Sequence, residues 1–337
     1  MRKVLVTGSA GFIGYHLCEA LLARGDQVTG YDALTDYYDV SLKQARHERL
    51  ERYDDFVAHV ARLEDMDRLA KVTERAQPDV IIHLAAQAGV RFSLENPRSY
   101  VDSNVTGSFN VLEAARSANV DHLLMASTSS VYGAARQMPF IETQMTDHPM
   151  TIYAATKKAS EAMAHSWAHL YDIPITMFRF FTVYGPWGRP DMALFKFTKA
   201  ILEGKPIDIY NHGEMYRDFT YVDDLVAGIV SLIDAVPPSP RSNAPTIPGD
   251  SLSPDAPWRV VNIGNSHKEK LLDFVEAVEA AIGKPAIRNY MDMQPGDVPV
   301  TWADAGLLQS LTGKRPETDM REGVARFVRW YRDYYGV

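Results

Sequence analysis

The sequence predicts an α/β fold in which a doubly wound parallel sheet is joined to a smaller C-terminal domain. Three observations carry the prediction. Short β-branched runs alternate with helical patterns over the first 180 residues. The run at 80–84, Val-Ile-Ile-His-Leu, is apolar on both faces, as a parallel strand between two helix layers reads. After about residue 182 the alternation loosens, so the remaining chain belongs to a different unit.

In chain order, "KVLVTG" reads as the first strand, "FIGYHLCEALLARG" as the first helix and "QVTGYD" as the second strand. "DFVAHVA" is a strand, "DMDRLAKVTERA" centres a helix and "DVIIHLAA" is the fourth strand. A helix near 98–118, the strand "HLLMAST", a helix near 153–171 and the strand "ITMFRFF" complete the sheet. Beyond the loop "GPWGRPD", helices are expected near 193–203, 222–235, 268–282 and 319–335, with short strands between them. The pattern divides the chain into a sheet domain over 1–181, leaving room for returns to it near 220–264, and a substrate domain over 182–337. Residues 237–257 are rich in Pro, Ser and Asp and read as an exposed loop.

Composition narrows the function. A net charge of −8 argues against attraction to nucleic acid or an anionic membrane surface. The one cysteine, Cys18, lies in an apolar helical pattern, which leaves no disulfide framework and no cysteine-based zinc site, and no metal is expected. The apolar start breaks at Thr7 and Gly8, too early for a signal peptide, and no later run approaches a membrane span. A reduced, cytoplasmic setting is the expectation.

The stretch "GSAGFIG" sets Gly8, Gly11 and Gly14 between the first strand and the first helix. Gly8 permits a tight turn, Gly11 lets backbone N–H groups approach a pyrophosphate, and Gly14 lets helix and strand pack closely. Asp32 ends the second strand, where a carboxylate accepts hydrogen bonds from an adenosine ribose and repels a 2′-phosphate. The cofactor expected is therefore NAD, on a Rossmann-type sheet.

Tyr153 and Lys157 are four apart, one helical turn, so both side chains share a face. With 17 tyrosines in the chain, chance alone gives about 0.6 such pairs, so position gives the pair its meaning. It follows a strand ending in Ser127-Thr128-Ser129-Ser130, at the carboxyl edge where doubly wound sheets bind ligands. A tyrosine near its ordinary pKa of about 10 is a poor base at neutral pH. A nearby ammonium and a cationic nicotinamide would each favour the phenolate, and Thr128 can share the substrate hydroxyl proton.

These residues resemble the extended short-chain dehydrogenase/reductase enzymes that act on nucleotide sugars. The supporting segments are "VTGSAGFIG", "HLAAQAGVRFSLENP", "NVTGSFNVLEAA", "SSVYG", "YAATK", "FRFFTVYGPWGRPDMA", "RDFTYVDD" and "QPGDVP". Within that group the chain looks most like the UDP-glucuronate 4-epimerases. The resemblance implies Tyr153 as base, Lys157 as its partner and ribose ligand, and Thr128 beside the reacting carbon. It implies Gly8, Gly11, Phe12, Ile13 and Gly14 as the pyrophosphate loop, Arg217 at the UDP phosphates and Asp297 near the nucleotide. Where the family commonly carries Asp before a hydrophobic residue after the third strand, this chain has Arg62-Leu63, which leaves Leu63 as the adenine contact. The resemblance also implies a homodimer built on the helices near 98–118 and 153–171, whose stripe Ala159, Met163, Trp167 and Leu170 is apolar.

Dehydratases of the group place an Asp-Glu pair after the reactive hydroxyl, where this chain has Ser129-Ser130, so dehydration is disfavoured. What remains is oxidation and re-reduction at C4 of a UDP-sugar. A 4-keto uronic acid is a β-keto acid that loses carbon dioxide readily, so its carboxylate must be restrained. Thr128, Ser129, Ser130 and Thr182 offer neutral donors, and Arg91 and Arg189 offer charge for the carboxylate or diphosphate. Thr182 stands where related UDP-glucose epimerases carry Asn, which favours UDP-glucuronate 4-epimerisation to UDP-galacturonate. UDP-glucuronate decarboxylation, UDP-glucose 4-epimerisation and a non-catalytic NAD sensor are the alternatives.

Overall fold

The computed structural model describes residues 1–242, 247–294 and 296–337. The first half runs β1 (Lys3–Thr7), α1 (Phe12–Ala23), β2 (Gln27–Asp32), α2 (Val40–Leu50), β3 (Phe56–Val60), α3 (Met66–Ala76) and β4 (Val80–His83). It continues through α4 (Phe92–Glu95), α5 (Pro97–Tyr100), α6 (Gly107–Ala118), β5 (His122–Thr128), α7 (Ile152–Tyr171) and β6 (Ile175–Phe180). The second half holds β7 (Thr182–Tyr184), α8 (Ala193–Leu202), β8 (Pro206–Tyr210), β9 (Tyr216–Arg217), β10 (Phe219–Tyr221), α9 (Val222–Leu232) and β11 (Trp258–Ile263). After these come β12 (Glu269–Lys270), α10 (Leu271–Ile282), β13 (Ile287–Met291), β14 (Val300–Thr301), α11 (Gly306–Thr312) and α12 (Met320–Tyr335).

Seven parallel strands form the central sheet in the order β3-β2-β1-β4-β5-β6-β11. The order reverses between β1 and β4, and the loops leaving their carboxyl ends diverge to open a crevice. Strands β4 and β5 are buried along their whole length, which explains the apolar runs 80–82 and 123–126 within them. One face packs Leu17, Cys18 and Leu21 of α1 with Leu225, Ile229 and Leu232 of α9. The other packs Leu69 and Val72 of α3 with Val111 and Leu112 of α6 and Ala164 and Ala168 of α7. A separate core of Phe195, Phe274, Val278, Val324 and Phe327 joins α8, α10 and α12.

Several elements differ from the expectation. Helix α2 carried no apolar signal because its buried face is Leu42, Lys43, Arg46 and Leu50, with two cations at core spacing. The helix expected near 98–118 is α5, a six-residue π-helical segment (Val101–Thr106) and α6 in succession. Asn104 inside that segment accepts from Gln87 N (2.8 Å) and donates to Gln87 O (3.0 Å) and Thr156 Oγ1 (3.1 Å). The loop read as exposed over 237–257 is corrected in its later part. Asp250 pairs with Arg259 at 2.9 Å, both largely buried, Ser251 bonds Val260, and Ala256 is 1% exposed. Residues 243–246 of that loop lie outside the described residues. Among the described residues no helix is long and apolar enough to cross a membrane.

Candidate active site

The loop between β1 and α1 fits a dinucleotide diphosphate. Gly8 has φ +78°, and a Cβ there would lie 2.7 Å from Ala85 N. A Cβ on Gly11 would stand 2.9 Å from Gly8 O, and one on Gly14 would collide with that same carbonyl. Helix α1 starts at Phe12 after Gly11 with no side-chain cap, so its first N–H groups keep their donors for an anion. Phe12 is buried, and Ile13 packs partly buried against the core below. Asp32 accepts from Ala10 N (3.0 Å) and Leu34 N (2.8 Å), which pins its carboxylate beside the loop.

Two cations near this loop were not foreseen. Lys43 Nζ donates to Thr35 O (2.5 Å) and Oγ1 (3.0 Å), and burial lowers its pKa. Arg46 has no solvent exposure and bonds Ala10 O (3.0 Å), Tyr38 Oη (2.9 Å), Trp187 O (2.5 Å) and Gly188 O (3.4 Å). It therefore joins the glycine loop to the loop that carries Arg189. Their only sequence signal was charge at helical spacing, which a search for apolar periodicity passes over. On the adenine side, Arg62 is exposed, while Leu63 is buried with its carbonyl held by Asn110 Nδ2 at 2.7 Å.

At the carboxyl edge of β5, Thr128 caps the 3₁₀ turn Ser129–Tyr132 by accepting from Ser130 N at 3.2 Å. Its hydroxyl lies beside Ser130 Oγ at 3.3 Å. Thr151 caps α7 by accepting from Ala154 N at 3.2 Å, which places Tyr153 in the first turn and Lys157 one turn on. The Tyr153 ring meets Tyr100 edge-on at 5.9 Å. Burial raises the Tyr153 phenol, while the Thr128 hydroxyl and the Arg189 charge pull it down. The expected lowering by the Lys157 ammonium is thus not the leading influence on this tyrosine. Lys157 is 2% exposed, and burial draws it down to about 8 against the opposing pull of Glu161. His83, bonded to Thr7 Oγ1 at 2.7 Å and Ser108 Oγ at 3.2 Å, is driven to about 3 by burial and stays neutral near the lysine.

Across the crevice, Thr182 and Arg189 line one small cavity of about 30 Å³ together with Phe12. The Thr182 amide donates to Asp218 O at 3.1 Å. Arg189 is held by Asp191, Nε to Oδ1 at 3.0 Å, and Tyr37 Oη donates to Asp191 Oδ2 at 3.0 Å. Arg91 pairs with Asp297 at 3.0 Å and lies 4.2 Å above the Tyr210 ring. Arg217 donates to Tyr216 O (2.9 Å) and Pro299 O (3.2 Å), and burial lowers its pKa while Asp297 opposes. The expected residues thus fall into the glycine loop after β1, the carboxyl end of β5 with the first turns of α7, and two arginine groups, Arg189 with Asp191 and Arg91 and Arg217 near Asp297.

The sequence pattern of the NAD dependent epimerase/dehydratase family matches residues 4–243. A probable UDP-glucuronate 4-epimerase of Rhizobium meliloti (strain 1021) is 57% identical over 99% of this chain and 98% of its own length. UDP-glucuronate 4-epimerase 4 of Arabidopsis thaliana is 47% identical over 98% of this chain and 76% of its own. The solved UDP-glucuronic acid 4-epimerase from Bacillus cereus, in complex with UDP-glucuronic acid and NAD, superposes with a TM-score of 0.87. It is 33% identical, covering 98% of this chain and 99% of that one. The chain belongs to the NAD dependent epimerase/dehydratase family.

Proposed function

We propose that this chain interconverts UDP-glucuronate and UDP-galacturonate as an NAD-dependent 4-epimerase. The observation that carries the reading is the placement of Thr128 at the carboxyl end of β5 and of Tyr153 and Lys157 one turn apart on α7, on the same sheet as a loop whose three glycines leave no room for a Cβ, with neutral hydroxyls where a second acid/base would be needed for dehydration. The relatives named probable UDP-glucuronate 4-epimerase and UDP-glucuronate 4-epimerase 4, which match 99% and 98% of this chain, support the choice of sugar.

Bound NAD supplies a hydride acceptor that can return what it takes. Gly8, Gly11 and Gly14, with the amides of Phe12 and Ile13, hold its diphosphate, Asp32 its ribose, and Leu63 packs toward its adenine. Tyr153 takes the C4 hydroxyl proton and later gives it back, and Thr128 aligns that hydroxyl. Lys157 steadies the phenolate through its charge and the nicotinamide ribose through its donors. The resulting 4-keto sugar must turn before C4 is reduced from its other face. Ser129, Ser130, Thr182 and Arg189 hold the carboxylate so that the bond to carbon dioxide stays out of alignment with the ketone. Arg91, Arg217 and Asp297 hold the UDP portion.

In this reading residues 1–181 with the 220–264 return form the NAD domain, and the rest of 182–337 forms the sugar-nucleotide domain. The exposed apolar residues Val101, Phe109, Leu170 and Tyr171 on and beside α6 and α7 support a homodimer through these helices. Incubation with UDP-glucuronate tests the activity: an isobaric product with galacturonate stereochemistry is expected. A pentose product would instead assign decarboxylation, and turnover of UDP-glucose alone would move the specificity.

A further inference from the structure

Glu161 lies one helical turn beyond Lys157 and two beyond Tyr153, with its side chain 1% exposed. Arg179 of β6 grips both of its oxygens, Nε to Oε1 at 2.9 Å and a terminal nitrogen to Oε2 at 2.8 Å. Ser127 Oγ donates to Oε1 at 2.6 Å, and Ser127 directly precedes Thr128. One carboxylate therefore ties the helix bearing Tyr153 and Lys157 to the ends of two adjacent strands. Arg179 is itself fixed, 4.7 Å over the Tyr132 ring and donating to Glu142 O at 3.2 Å.

A buried ion pair is weak evidence for stability, because dehydration offsets most of its attraction and an apolar pair of similar volume often does as well. Its location asks for another reason. We propose that Glu161 is a positioning residue for the reaction, clamping Tyr153 and Lys157 in register with Thr128 through Ser127 and Arg179. The proposal rests on the reading of Tyr153, Lys157 and Thr128 as the reacting edge. The two-point guanidinium fork fixes an angle as well as a distance, and the short serine bond fixes the depth of α7 against β5. A shift of α7 by a fraction of a turn would carry the phenol away from the hydroxyl it must deprotonate.

The charge acts in the same direction. Lys157 faces Glu161 on its own helix and neutral His83 from β4, with Tyr153 one turn before it on α7. Glu161 faces Arg179 from β6, Ser127 from β5 and Lys158 on α7 at 3.7 Å. Glu161 opposes the loss of the Lys157 proton that burial promotes. Removing its charge leaves Lys157 and Arg179 as buried like charges, so the ammonium is lost at a lower pH.

The test compares wild type, Ser127→Ala, Glu161→Gln and Glu161→Gln/Arg179→Met on UDP-glucuronate, recording kcat and KM across pH and UDP affinity. Ser127→Ala keeps both charges paired and should lower kcat ~3- to 10-fold with KM within about twofold. Glu161→Gln should lower kcat ~10- to 100-fold and move the alkaline limb of kcat about one pH unit lower, with UDP affinity unchanged. If the stranded Arg179 prevents that variant from folding, the double variant removes it and should fold yet remain slow, with the limb still shifted. Wild-type kcat and an unmoved limb in the folded variants would overturn the proposal, and Ser127→Ala alone decides if neither glutamate variant folds. A wild-type chain inert toward UDP-glucuronate would refute the epimerase reading instead.

Discussion

Arg46→Met replaces the strut between the glycine loop and the Trp187–Gly188 loop with a side chain of similar length and no charge. The guanidinium makes three bonds of 2.5 to 3.0 Å and a fourth at 3.4 Å, to Ala10 O, Tyr38 Oη, Trp187 O and Gly188 O. Hydrogen bonds to a charged group contribute ~1.5 to 3 kcal/mol each, so the three good ones are worth about 6 kcal/mol. Against this stands dehydration of a fully buried cation, several kcal/mol, which among the described residues has no carboxylate within 4.0 Å and no partner for Nε. The methionine removes that cost but orphans the carbonyls of the two shorter backbone bonds, Ala10 O and Trp187 O, at ~1 to 3 kcal/mol each. The bonds win by a margin, and we expect the variant to be less stable by about 2 to 4 kcal/mol. Because Ala10 belongs to the diphosphate loop, it should also retain less NAD after gel filtration. Arg46→Lys keeps the charge with fewer directed donors and should fall between the two. Thermal melts at matched NAD and the absorbance ratio of the purified protein provide the readouts. An Arg46→Met protein as stable as wild type, with full NAD, would show that dehydration outweighs the bonds and that the strut is dispensable.

Tyr153→Phe should keep the fold and bound NAD yet lose ~10²- to 10⁴-fold in turnover, since it removes the proton acceptor, and near-wild-type rates would place the chemistry elsewhere. Thr182→Val should raise the pentose product about tenfold relative to epimer, one lost bond to the carboxylate, while UDP affinity stays constant. Mass spectrometry of the products reads that ratio, and an unchanged ratio and rate would remove Thr182 from carboxylate control. Burial raises the Glu142 carboxyl to about 7 from 4.5, so the folded state holds its proton where the unfolded state has lost it. Stability from this group is full at acid pH and declines as pH rises through 4.5 toward 7. The decline is worth ~3 kcal/mol. Glu142→Gln, which keeps the acceptor for Asn262 N, should therefore gain on wild type in urea melts as pH rises, and parallel pH profiles would refute the linkage.

The sheet was legible because its strands are buried on both faces, and burial writes itself into sequence as apolar runs such as 80–82 and 123–126. The glycine loop was legible for the opposite reason. Gly8, Gly11 and Gly14 mark places where any side chain would strike backbone, and only one residue type satisfies that. What stayed hidden is polarity used as core. Arg46, Glu161 and Arg179 occupy positions that an apolar pattern assigns to leucine, and their partners lie up to 142, 34 and 37 residues away in sequence, in that order. A charge in a string of letters reads as solvent-facing until its counter-group is found, and that pairing exists only in three dimensions. The catalytic pair on α7 shows the boundary between the two cases. Tyr153 and Lys157 were visible because a helical turn relates them, whereas Glu161, one further turn along the same face, was not singled out because its meaning comes from Ser127 and Arg179 on neighbouring strands. Local periodicity therefore reveals the groups that act, and tertiary contact reveals the groups that hold them in place.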